Sequence, residues 1–560
     1  MKPAHEKYIP FVPLKMARRA WPDRELKAPP VWCSVDLRDG NQALIDPMNV
    51  REKLELFHTL VHIGVKEIEV GFPSASETEY EFIRTLIEGG HIPDDVTIQV
   101  LVQAREHLIR RTFEAIDGAK HVIFHFYNST STLQQKVVFH TDVEGVKKIA
   151  VDAARLIREL SQPALDAGMD LRYEYSPESF MGTEMDAAVE ICQAVIEAIG
   201  ATPERKVILN LPTTVENCMP NYFADEIEYF ISRLPGRDRA IISLHPHNDR
   251  GEGVATAELG LLAGAERVEA TLFGNGERTG NVDMVTLALN LYTQGVDPKL
   301  DFSDINKIRD VYERVTKMKI GERQPYVGEL VFTAFSGSHQ DAINKGTRYM
   351  EESGTEYWEV PYLPIDPADV GRQYEPIIRI NSQSGKGGSA FVMQHSFGFD
   401  LPKAMHPEFG HIVQVETDRV GKELKPDAIY DLFKAHYIDA VKPYQLVQHS
   451  FAEFTDEEGH SHVTFAGTIR HTDTVFQVQG SGNGPFFNAI HGQKMDRFTF
   501  IDYKEHAVKQ GSDSQAVAYI HLQDENGRDW FGVGMSHNIN LAPLKGILSA
   551  INRAVSHDGK

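Results

Sequence analysis

Eight short apolar segments recur between residues 31 and 295, and longer amphipathic segments separate them. The apolar segments are rich in Val and Ile, which is typical of strands buried on both faces of a sheet. The intervals are long enough for helical crossovers between parallel strands. In one interval, Ile227, Phe230, Ile231 and Leu234 recur at three- and four-residue steps and predict one apolar helix face. Eight such units over about 265 residues predict an α/β fold with a (β/α)8 TIM barrel.

The predicted strands cover residues 31–37, 66–72, 97–102, 120–126, 170–176, 206–212, 240–246 and 267–273. An open doubly wound sheet is the alternative, but the first predicted strand is not followed by the GxGxxG pattern of a dinucleotide-binding sheet. In a barrel, catalytic residues come from the carboxyl ends of the strands. The polar residues at those ends are therefore the candidates for an active site.

A chain of 560 residues exceeds what one hydrophobic core normally organises, so several domains are expected. We predict an N-terminal extension over 1–30, the barrel over 31–325, small linker subdomains over 326–440 and a C-terminal α+β domain over 441–560. In the last of these, strands followed by a glycine-containing turn and an apolar helix occur twice. This repetition predicts an internal duplication.

Charge and cysteine content limit the partners that are expected. Fifty-seven Lys and Arg against 80 Asp and Glu give a net charge of −23, which repels phosphate backbones and argues against nucleic acid. Three cysteines without a CxxC spacing argue against a disulfide framework and favour a reducing, cytoplasmic location. No uncharged apolar stretch approaches the roughly 18 residues of a membrane span, so no membrane partner is expected.

A metal site is predicted from residues that follow three strands. Asp39 follows the first strand, His245 and His247 end the seventh, and Asn275 follows the eighth. Side chains two apart in a strand point the same way, so both imidazoles can reach one ion. A His pair of this spacing is a weak signal by itself, but strands 1, 7 and 8 are consecutive around a closed barrel. Mixed nitrogen and oxygen ligands suit a divalent ion such as Mg²⁺, Mn²⁺ or Zn²⁺ without selecting one.

Other polar residues at the strand ends are candidates with simpler alternatives. Arg38 can stabilise an oxyanion beside the metal, although an Arg next to an Asp is more commonly a structural ion pair. His125 and Glu174 can equally be hydrogen-bonded core residues, and Thr214 can simply cap the following helix.

Several segments resemble the 2-isopropylmalate synthase family, one of the Claisen-condensing barrel families that also include homocitrate and citramalate synthases. The most specific are LRDGNQ at 37–42, the long segment from SLHPHND to GERTGN at 243–281, and FSGSHQDAINKG at 335–346. EVGFPSASETEYEF at 69–82 and EYSPES at 174–179 narrow the resemblance to the long-chain members. The resemblance extends over essentially the whole chain.

The resemblance implies an acyltransferase that condenses acetyl-CoA with 2-oxoisovalerate and water to give 2-isopropylmalate and CoA, the first committed step of leucine biosynthesis. It implies a divalent metal on Asp39, His245, His247 and Asn275, with a monovalent cation such as K⁺ as an activator. Homocitrate or citramalate synthase is the nearest alternative, because the pocket lining rather than the metal motif sets the oxo acid. A non-catalytic amino-acid sensor is the alternative of another class, and the intact metal and acid–base positions speak against it.

The resemblance also assigns roles to individual residues. Arg38 would stabilise the enolate or alkoxide oxygen, and Glu174 would support the site by hydrogen bonding. The residues that would contact the oxo acid are Gln42, Leu101, His125 and Thr214, with Leu101 against its isopropyl group. Beyond the barrel, His339 and Tyr362 would help to remove the methyl proton of acetyl-CoA. A neighbouring subunit is the expected source of this last pair.

The C-terminal domain resembles the leucine-sensing domain of the family, which implies feedback inhibition by leucine and a homodimer. Glycines in residues 480–485 and 532–538 precede the two predicted helices. They would leave backbone N–H groups free to hold the carboxylate of the effector. The candidate contacts are Gly482, Asn483 and Gly534. A pair of tight strand-to-helix turns is the alternative interpretation.

Overall fold

The apolar segments form a closed parallel barrel in the computed structural model, with strands β1 to β8 in sequence order. The strands are β1 (Val31–Ser34), β2 (Glu67–Gly71), β3 (Thr97–Gln103), β4 (His121–Ser129), β5 (Asp170–Glu178), β6 (Val207–Thr213), β7 (Ala240–Pro246) and β8 (Arg267–Ala270). The structure describes residues 3–334, 336–374, 388–420, 424–455, 461–481, 497–508 and 514–558. The predicted (β/α)8 barrel is confirmed.

A helix follows each barrel strand. The helices are α1 (Val50–Ile63), α2 (Glu77–Glu88), α3 (Glu106–Ile116), α4 (Val143–Asp166), α5 (Met185–Ile199), α6 (Pro220–Arg233), α7 (Gly253–Leu262) and α8 (Met284–Tyr292). Local chemistry fixes their ends: in α1, the Asn49 side chain and the Glu52 side chain each accept the other residue's backbone N–H. Gly64, at φ +106°, ends the same helix.

Two strands end at positions other than those predicted, and this changes where Asp39 and Glu174 lie relative to the strand ends. β1 stops at Ser34, and a π-helical turn over Asp36–Gly40 carries Asp39. β5 continues to Glu178, two residues beyond its predicted end. Glu174 therefore lies in the middle of β5, and Glu178 lies at its carboxyl end.

Further helices and two antiparallel sheets follow the barrel. The helices are α9 (Ile305–Thr316), α10 (Gly337–Ser353), α11 (Gly388–Phe397), α12 (His406–Val420), α13 (Pro426–Phe433) and α14 (Leu541–Asp558). The strands are β9 (Tyr444–Thr455), β10 (Ser461–His471), β11 (Thr474–Ser481), β12 (Phe498–Val508), β13 (Gln515–Asp524) and β14 (Asp529–Ser536). They pair in the orders β11-β10-β9 and β12-β13-β14. Two three-stranded sheets agree with the predicted α+β domain, and the helix expected between them lies outside the described residues.

Short helical turns also occur. They are Ala4–Lys7, Trp21–Asp23, Thr132–Gln134, Gln135–Phe139, Phe180–Gly182, Arg237–Arg239, Leu272–Gly274, Pro367–Val370, Lys403–Met405 and Lys434–Ile438. The turn over Leu272–Gly274 replaces the end of the eighth predicted strand, so β8 is shorter than expected.

The chain divides into two compact units. The first comprises Met1–Phe332 and Pro364–Gln373, and the second comprises Thr333–Leu363 and Tyr374–Lys560. In the second unit, Phe465 of β10, Ile520 of β13 and Leu544 of α14 belong to one buried apolar cluster. Both sheets and the last helix therefore share a core.

All three cysteines of the chain are buried free thiols. Burial raises the pKa of Cys33, Cys192 and Cys218, which makes them poor nucleophiles. None of the helices in the described part of the chain combines the length and the apolarity that a membrane span requires.

Candidate active site

A cavity of about 310 Å³ opens at the carboxyl ends of the barrel strands. Its lining residues are Arg38, Asp39, Gln42, Phe72, Leu101, His125, Tyr127, Ser176, Glu178, Asn210, Pro212, Thr214, His245, His247, Glu277 and Arg278. The set contains eight residues that the sequence predicts for the site, namely Arg38, Asp39, Gln42, Leu101, His125, Thr214, His245 and His247. Side chains from strands far apart in the sequence thus meet at one cavity.

Asp39, His245 and His247 form one buried cluster, in which the ligand atoms lie within 4.8 Å of one another. Oδ2 of Asp39 is 3.3 Å from Nε2 of His245 and 3.9 Å from Nε2 of His247. Ligand atoms at these separations can share one ion at ordinary metal–ligand distances of about 2.0–2.2 Å. The geometry and the donor types therefore fit a divalent cation.

The amide beside this cluster comes from Asn281 and not from Asn275. Nδ2 of Asn281 donates to Oδ2 of Asp39 at 2.8 Å, and its buried Oδ1 has no hydrogen-bond partner among the described residues. The Asn275 amide instead donates to the carbonyl of Gly40 at 2.9 Å. Because the O and N of an amide are assigned from their surroundings, a cation in the cluster would turn Oδ1 of Asn281 toward itself. The structure thus places the Asn281 amide, and not that of Asn275, against the carboxylate of Asp39.

The loop after β8 explains why Asn281, and not Asn275, lies beside Asp39. The chain closes on itself there, since the Asn281 N–H donates to the carbonyl of Gly274 at 3.1 Å. Gly280 has a φ of +97°, and a Cβ at that position would lie 1.9 Å from the Gly274 carbonyl oxygen. Only glycine permits this closure. The loop returns Asn281 to β7, where it pairs with His247 in an isolated bridge.

Glu269 orients one of the imidazoles in the cluster. Its Oε2 accepts a hydrogen bond from Nδ1 of His245 at 2.7 Å, so Nε2 is the nitrogen that faces Asp39. Although burial opposes the charge, hydrogen bonds to Asp39 and Glu269 raise the pKa of His245 to about 9. Metal binding at this residue must therefore release a proton. Burial and the neighbouring His245 lower the pKa of His247 to about 4, which keeps it in the neutral form that binds metals.

Arg38 is a fixed cation at the edge of the cluster. Its Nε donates to Glu69, and its Nη1 donates to Asp39 at 2.8 Å. Although burial disfavours the charge, the carboxylates of Glu69 and Asp39 raise the pKa of Arg38. Its Nη2 has no hydrogen-bond partner among the described residues, and the side chain lines the cavity. Donors fixed in this way can stabilise an oxyanion that develops beside them.

Of the two glutamates in β5, Glu178 lines the cavity and Glu174 does not. Glu174 is completely buried beneath the cavity, 3.3 Å from Arg267 and 3.5 Å from His125. One of these contacts, His125, lines the cavity, and the predicted support of the site by Glu174 stays a prediction. Burial raises the pKa of Glu178. The alternation of side chains along β5 places both residues on one face, and this is the signal that could have found Glu178.

The predicted oxo-acid contacts all line the cavity, and their local partners differ. Nε2 of Gln42 donates to Glu277 at 3.3 Å, and Oγ1 of Thr214 accepts from the backbone N–H of Ser179 at 2.8 Å. Leu101 is 7% exposed and supplies an apolar wall. The lining residues that the sequence did not indicate include Phe72, Tyr127, Ser176, Asn210 and Pro212. They follow from the register of the strands, which local patterns do not reveal.

His339 and Tyr362 lie together in the second compact unit. Their rings stack with centroids 4.1 Å apart and an interplanar angle of 24°. Tyr362 has a φ of +65° and is 60% exposed. The structure thus brings the two predicted acid–base residues into contact with each other.

Gly534 lies inside β14 and not in a turn before the last helix, which corrects its predicted position. A Cβ at Gly534 would be 1.9 Å from the carbonyl oxygen of Ala542 in α14. The close approach of strand and helix explains the glycine without an effector. The other two candidate contacts, Gly482 and Asn483, lie outside the described residues.

Three family models match the chain. The HMGL-like model matches residues 29–312. The model described as alpha-isopropylmalate synthase, post-catalytic domain-like, matches residues 329–394. The model of the LeuA allosteric (dimerisation) domain matches residues 423–555.

Similar proteins from several bacteria carry the name 2-isopropylmalate synthase. The protein of Clostridium acetobutylicum is 52% identical over 556 residues, which cover 98% of this chain and 99% of the relative. The protein of Rhizobium johnstonii is 52% identical over 559 residues, or 99% of each chain. That of Pseudomonas putida is 52% identical over 558 residues, covering 99% of this chain and 98% of the relative.

Proposed function

The chain belongs to the 2-isopropylmalate synthase family, and on this premise we propose that its barrel cavity condenses acetyl-CoA with 2-oxoisovalerate and water. The products are 2-isopropylmalate and CoA, and the reaction commits carbon to leucine biosynthesis. The observation that carries the proposal is the convergence of Asp39, His245 and His247 with Arg38 at one cavity. This set combines a cation site with a fixed donor for a developing negative charge.

The residues proposed to hold a divalent cation are Asp39, His245, His247 and Asn281. A cation bound by them would act as a Lewis acid on the ketone of the oxo acid. One carboxylate, two imidazoles and one amide suit Mg²⁺, Mn²⁺ or Zn²⁺ alike. A monovalent activator such as K⁺ remains a prediction.

The rest of the cavity binds and orients the oxo acid. Arg38 stabilises negative charge on the reacting oxygen. Its guanidinium is held by hydrogen bonds from Nε and Nη1, and the N–H groups of Nη2 are left to donate to that oxygen. Leu101 meets the isopropyl group, and His125, Thr214 and Gln42 contact the polar end of the substrate. A small apolar wall beside several polar groups suits a short branched oxo acid.

Proton transfer requires groups outside the cation cluster, since a thioester methyl group is a weak carbon acid. We infer that the stacked pair of His339 and Tyr362 removes the methyl proton of acetyl-CoA, and that a neighbouring subunit supplies the pair. Glu178 is the cavity carboxyl suited to exchange a proton with the reacting groups. Its raised pKa brings it closer to neutrality, where general acids and bases work best.

The domain roles complete the proposal. Residues 31–325 would form the catalytic barrel, 326–440 the linker, and 441–560 the regulatory and dimerisation domain. Similarity of residues 423–555 to the LeuA allosteric (dimerisation) domain supports a homodimer that leucine inhibits.

Release of the CoA thiol across a panel of 2-oxo acids, with and without a chelator, tests the proposed function. We expect the highest kcat/KM with 2-oxoisovalerate and loss of turnover in the chelator. A preference for 2-oxoglutarate or pyruvate would instead assign a homocitrate or citramalate synthase. Absence of thiol release with every oxo acid and metal would favour a sensor.

A further inference from the structure

We propose that Glu69 is a positioning residue for this reaction, whose buried carboxylate holds Arg38 and His125 in one fixed arrangement at the cavity. The inference rests on the proposed function. Glu69 itself does not line the cavity, so it acts through the two residues that do.

Three donors from different parts of the barrel converge on Glu69, which lies on β2 and has a completely buried side chain. Nε of Arg38, on the turn after β1, donates to Oε1. Nδ1 of His125 on β4 and Nε2 of Gln99 on β3 are each 2.7 Å from Oε2. The carboxylate therefore ties together three neighbouring segments at the level of the cavity floor.

The contact with Glu69 also decides which nitrogen of His125 carries a proton. Burial opposes the charge of Glu69, but Arg38 and His125 hold its pKa below the ordinary range. An ionised carboxylate only accepts hydrogen bonds, so Nδ1 of His125 is the donor. The other nitrogen, Nε2, lies 2.7 Å from Oγ of Ser176, which lines the cavity. Glu69 thus sets how the imidazole faces the substrate.

The orientation of Arg38 depends on the same carboxylate. The guanidinium has two anchors, Nε on Glu69 and Nη1 on Asp39. With only the Asp39 contact, the planar group could rotate about a single hydrogen bond. Misplacing a catalytic group by about 1 Å can cost roughly 10²-fold in rate, so loss of the Glu69 anchor should appear in turnover.

A second metal site is a competing explanation, because ligand atoms of Glu69, His125 and Glu269 lie within 4.8 Å of one another. The Gln99 amide argues against it. Its Nε2 donates to Glu69 and to Glu269, each at 2.7 Å, and therefore occupies the space between the two carboxylates. Glu269 also accepts from Arg267 at 3.1 Å. These carboxylates are satisfied by protein donors, which indicates a hydrogen-bonded network.

Glu69→Gln tests the inference, and Glu67→Gln is a matched control. Glu67 lies two residues earlier on β2 and is also buried, but its partners are Arg267 at 2.7 Å and Arg172 at 2.8 Å. Neither of these arginines lines the cavity. Both substitutions remove one buried negative charge at nearly constant volume.

We expect Glu69→Gln to lower kcat by about 10- to 100-fold, as is typical for residues that orient site groups, and Glu67→Gln to change it by less than about three-fold. Nitrogen-15 NMR of the imidazoles supplies a readout that does not depend on activity. In the parent enzyme His125 should carry its proton on Nδ1. In Glu69→Gln no carboxylate fixes this proton, so the share of His125 that is protonated on Nδ1 should fall relative to the parent.

Equal losses of kcat in the two variants would overturn the inference. The loss would then result from removing any buried negative charge on β2, and not from the contacts of Glu69 with Arg38 and His125. A parent enzyme in which His125 is protonated only on Nε2 would also overturn it, and this measurement needs no variant to fold. If no oxo acid supports thiol release by the parent, the proposed function fails. The His125 signals would still decide separately whether Glu69 positions the imidazole.

Discussion

Glu178→Gln and Glu174→Gln, four residues apart on β5, separate a residue that reaches the cavity from one that lies beneath it. Glu178 lines the cavity, and burial raises its pKa. Glu174 is completely buried against Arg267 and His125, and burial raises its pKa well above the ordinary range. Each substitution preserves the shape of the side chain and removes the ability to exchange a proton.

The two substitutions should change different properties of the enzyme: Glu178→Gln should change turnover and Glu174→Gln should change stability. A positioned acid or base contributes about 10²- to 10⁴-fold to the rate, which is about 3–5 kcal/mol of the barrier, so kcat of Glu178→Gln should fall by that factor. The KM for 2-oxoisovalerate should change little, because the amide fills the same space. Glu174→Gln should instead alter stability. Removing one partner of a buried pair costs at most about 3–5 kcal/mol, and less where the carboxyl is largely neutral.

The pH dependence of the two variants follows from the sign of the shifts. When folding raises the pKa of a carboxyl group, the folded state binds the proton more tightly than the unfolded state does. The stability that this difference adds is therefore lost as pH rises through the pKa of the folded state. Glu174→Gln should remove the part of this pH-dependent loss of stability that Glu174 causes. Denaturant unfolding at a series of pH values measures the change in the free energy of unfolding. The ionised form of Glu178 is the one that can accept a proton, so kcat should rise with pH through its raised pKa, and Glu178→Gln should lack this rise.

Steady-state thiol release with saturating acetyl-CoA is the assay, and circular dichroism controls for folding. The reasoning is refuted if Glu174→Gln loses turnover while Glu178→Gln retains it. That result would assign the proton transfer to Glu174, which the family resemblance implies only as a residue that supports the site by hydrogen bonding.

Three further predictions follow from the cavity and the stacked pair. Asn281→Ala should lower metal affinity in calorimetry by more than about ten-fold, and Asn275→Ala should lower it less; equal losses would contradict the assignment of Asn281. His339→Ala should lower kcat far more than it raises the KM for the oxo acid, since proton removal is felt in the transition state; a raised KM alone would place it in substrate binding. Leu101→Ala should shift the ratio of kcat/KM between 2-oxoisovalerate and a longer branched oxo acid by roughly 10- to 200-fold toward the longer one; an unchanged ratio would remove Leu101 from the pocket wall.

The barrel was predictable because buried parallel strands need apolar residues on both faces, and this leaves a pattern within each short segment. The turn after β1 was not predictable by this route. Both carboxylate oxygens of Asp36 accept from the backbone N–H of Leu272, at 3.0 and 3.1 Å, across 236 positions of sequence. A contact of that separation stabilises a backbone conformation that no local pattern encodes.

Gly534, in the second compact unit, is another residue whose structural role the local sequence does not reveal. A glycine near a predicted helix suggests a turn, because turns are where glycine is most often required. Here the glycine instead allows β14 to approach α14, and any side chain would meet the backbone of Ala542. A bulky residue at Gly534 would therefore disturb strand–helix packing directly. Loss of leucine inhibition in such a variant would not identify an effector contact.

The different depths of Glu174 and Glu178 on β5 follow from one physical cause. Alternation along a strand determines which residues face the barrel interior, so Glu174, Ser176 and Glu178 share a face. Interior side chains stack in layers, and only the uppermost layers reach the cavity. The layer of each residue depends on the register between strands, here Ser129 of β4 opposite Glu178, and on where the strand ends. The sequence therefore indicates the face that Glu174 and Glu178 share, but it does not indicate which of the two reaches the cavity.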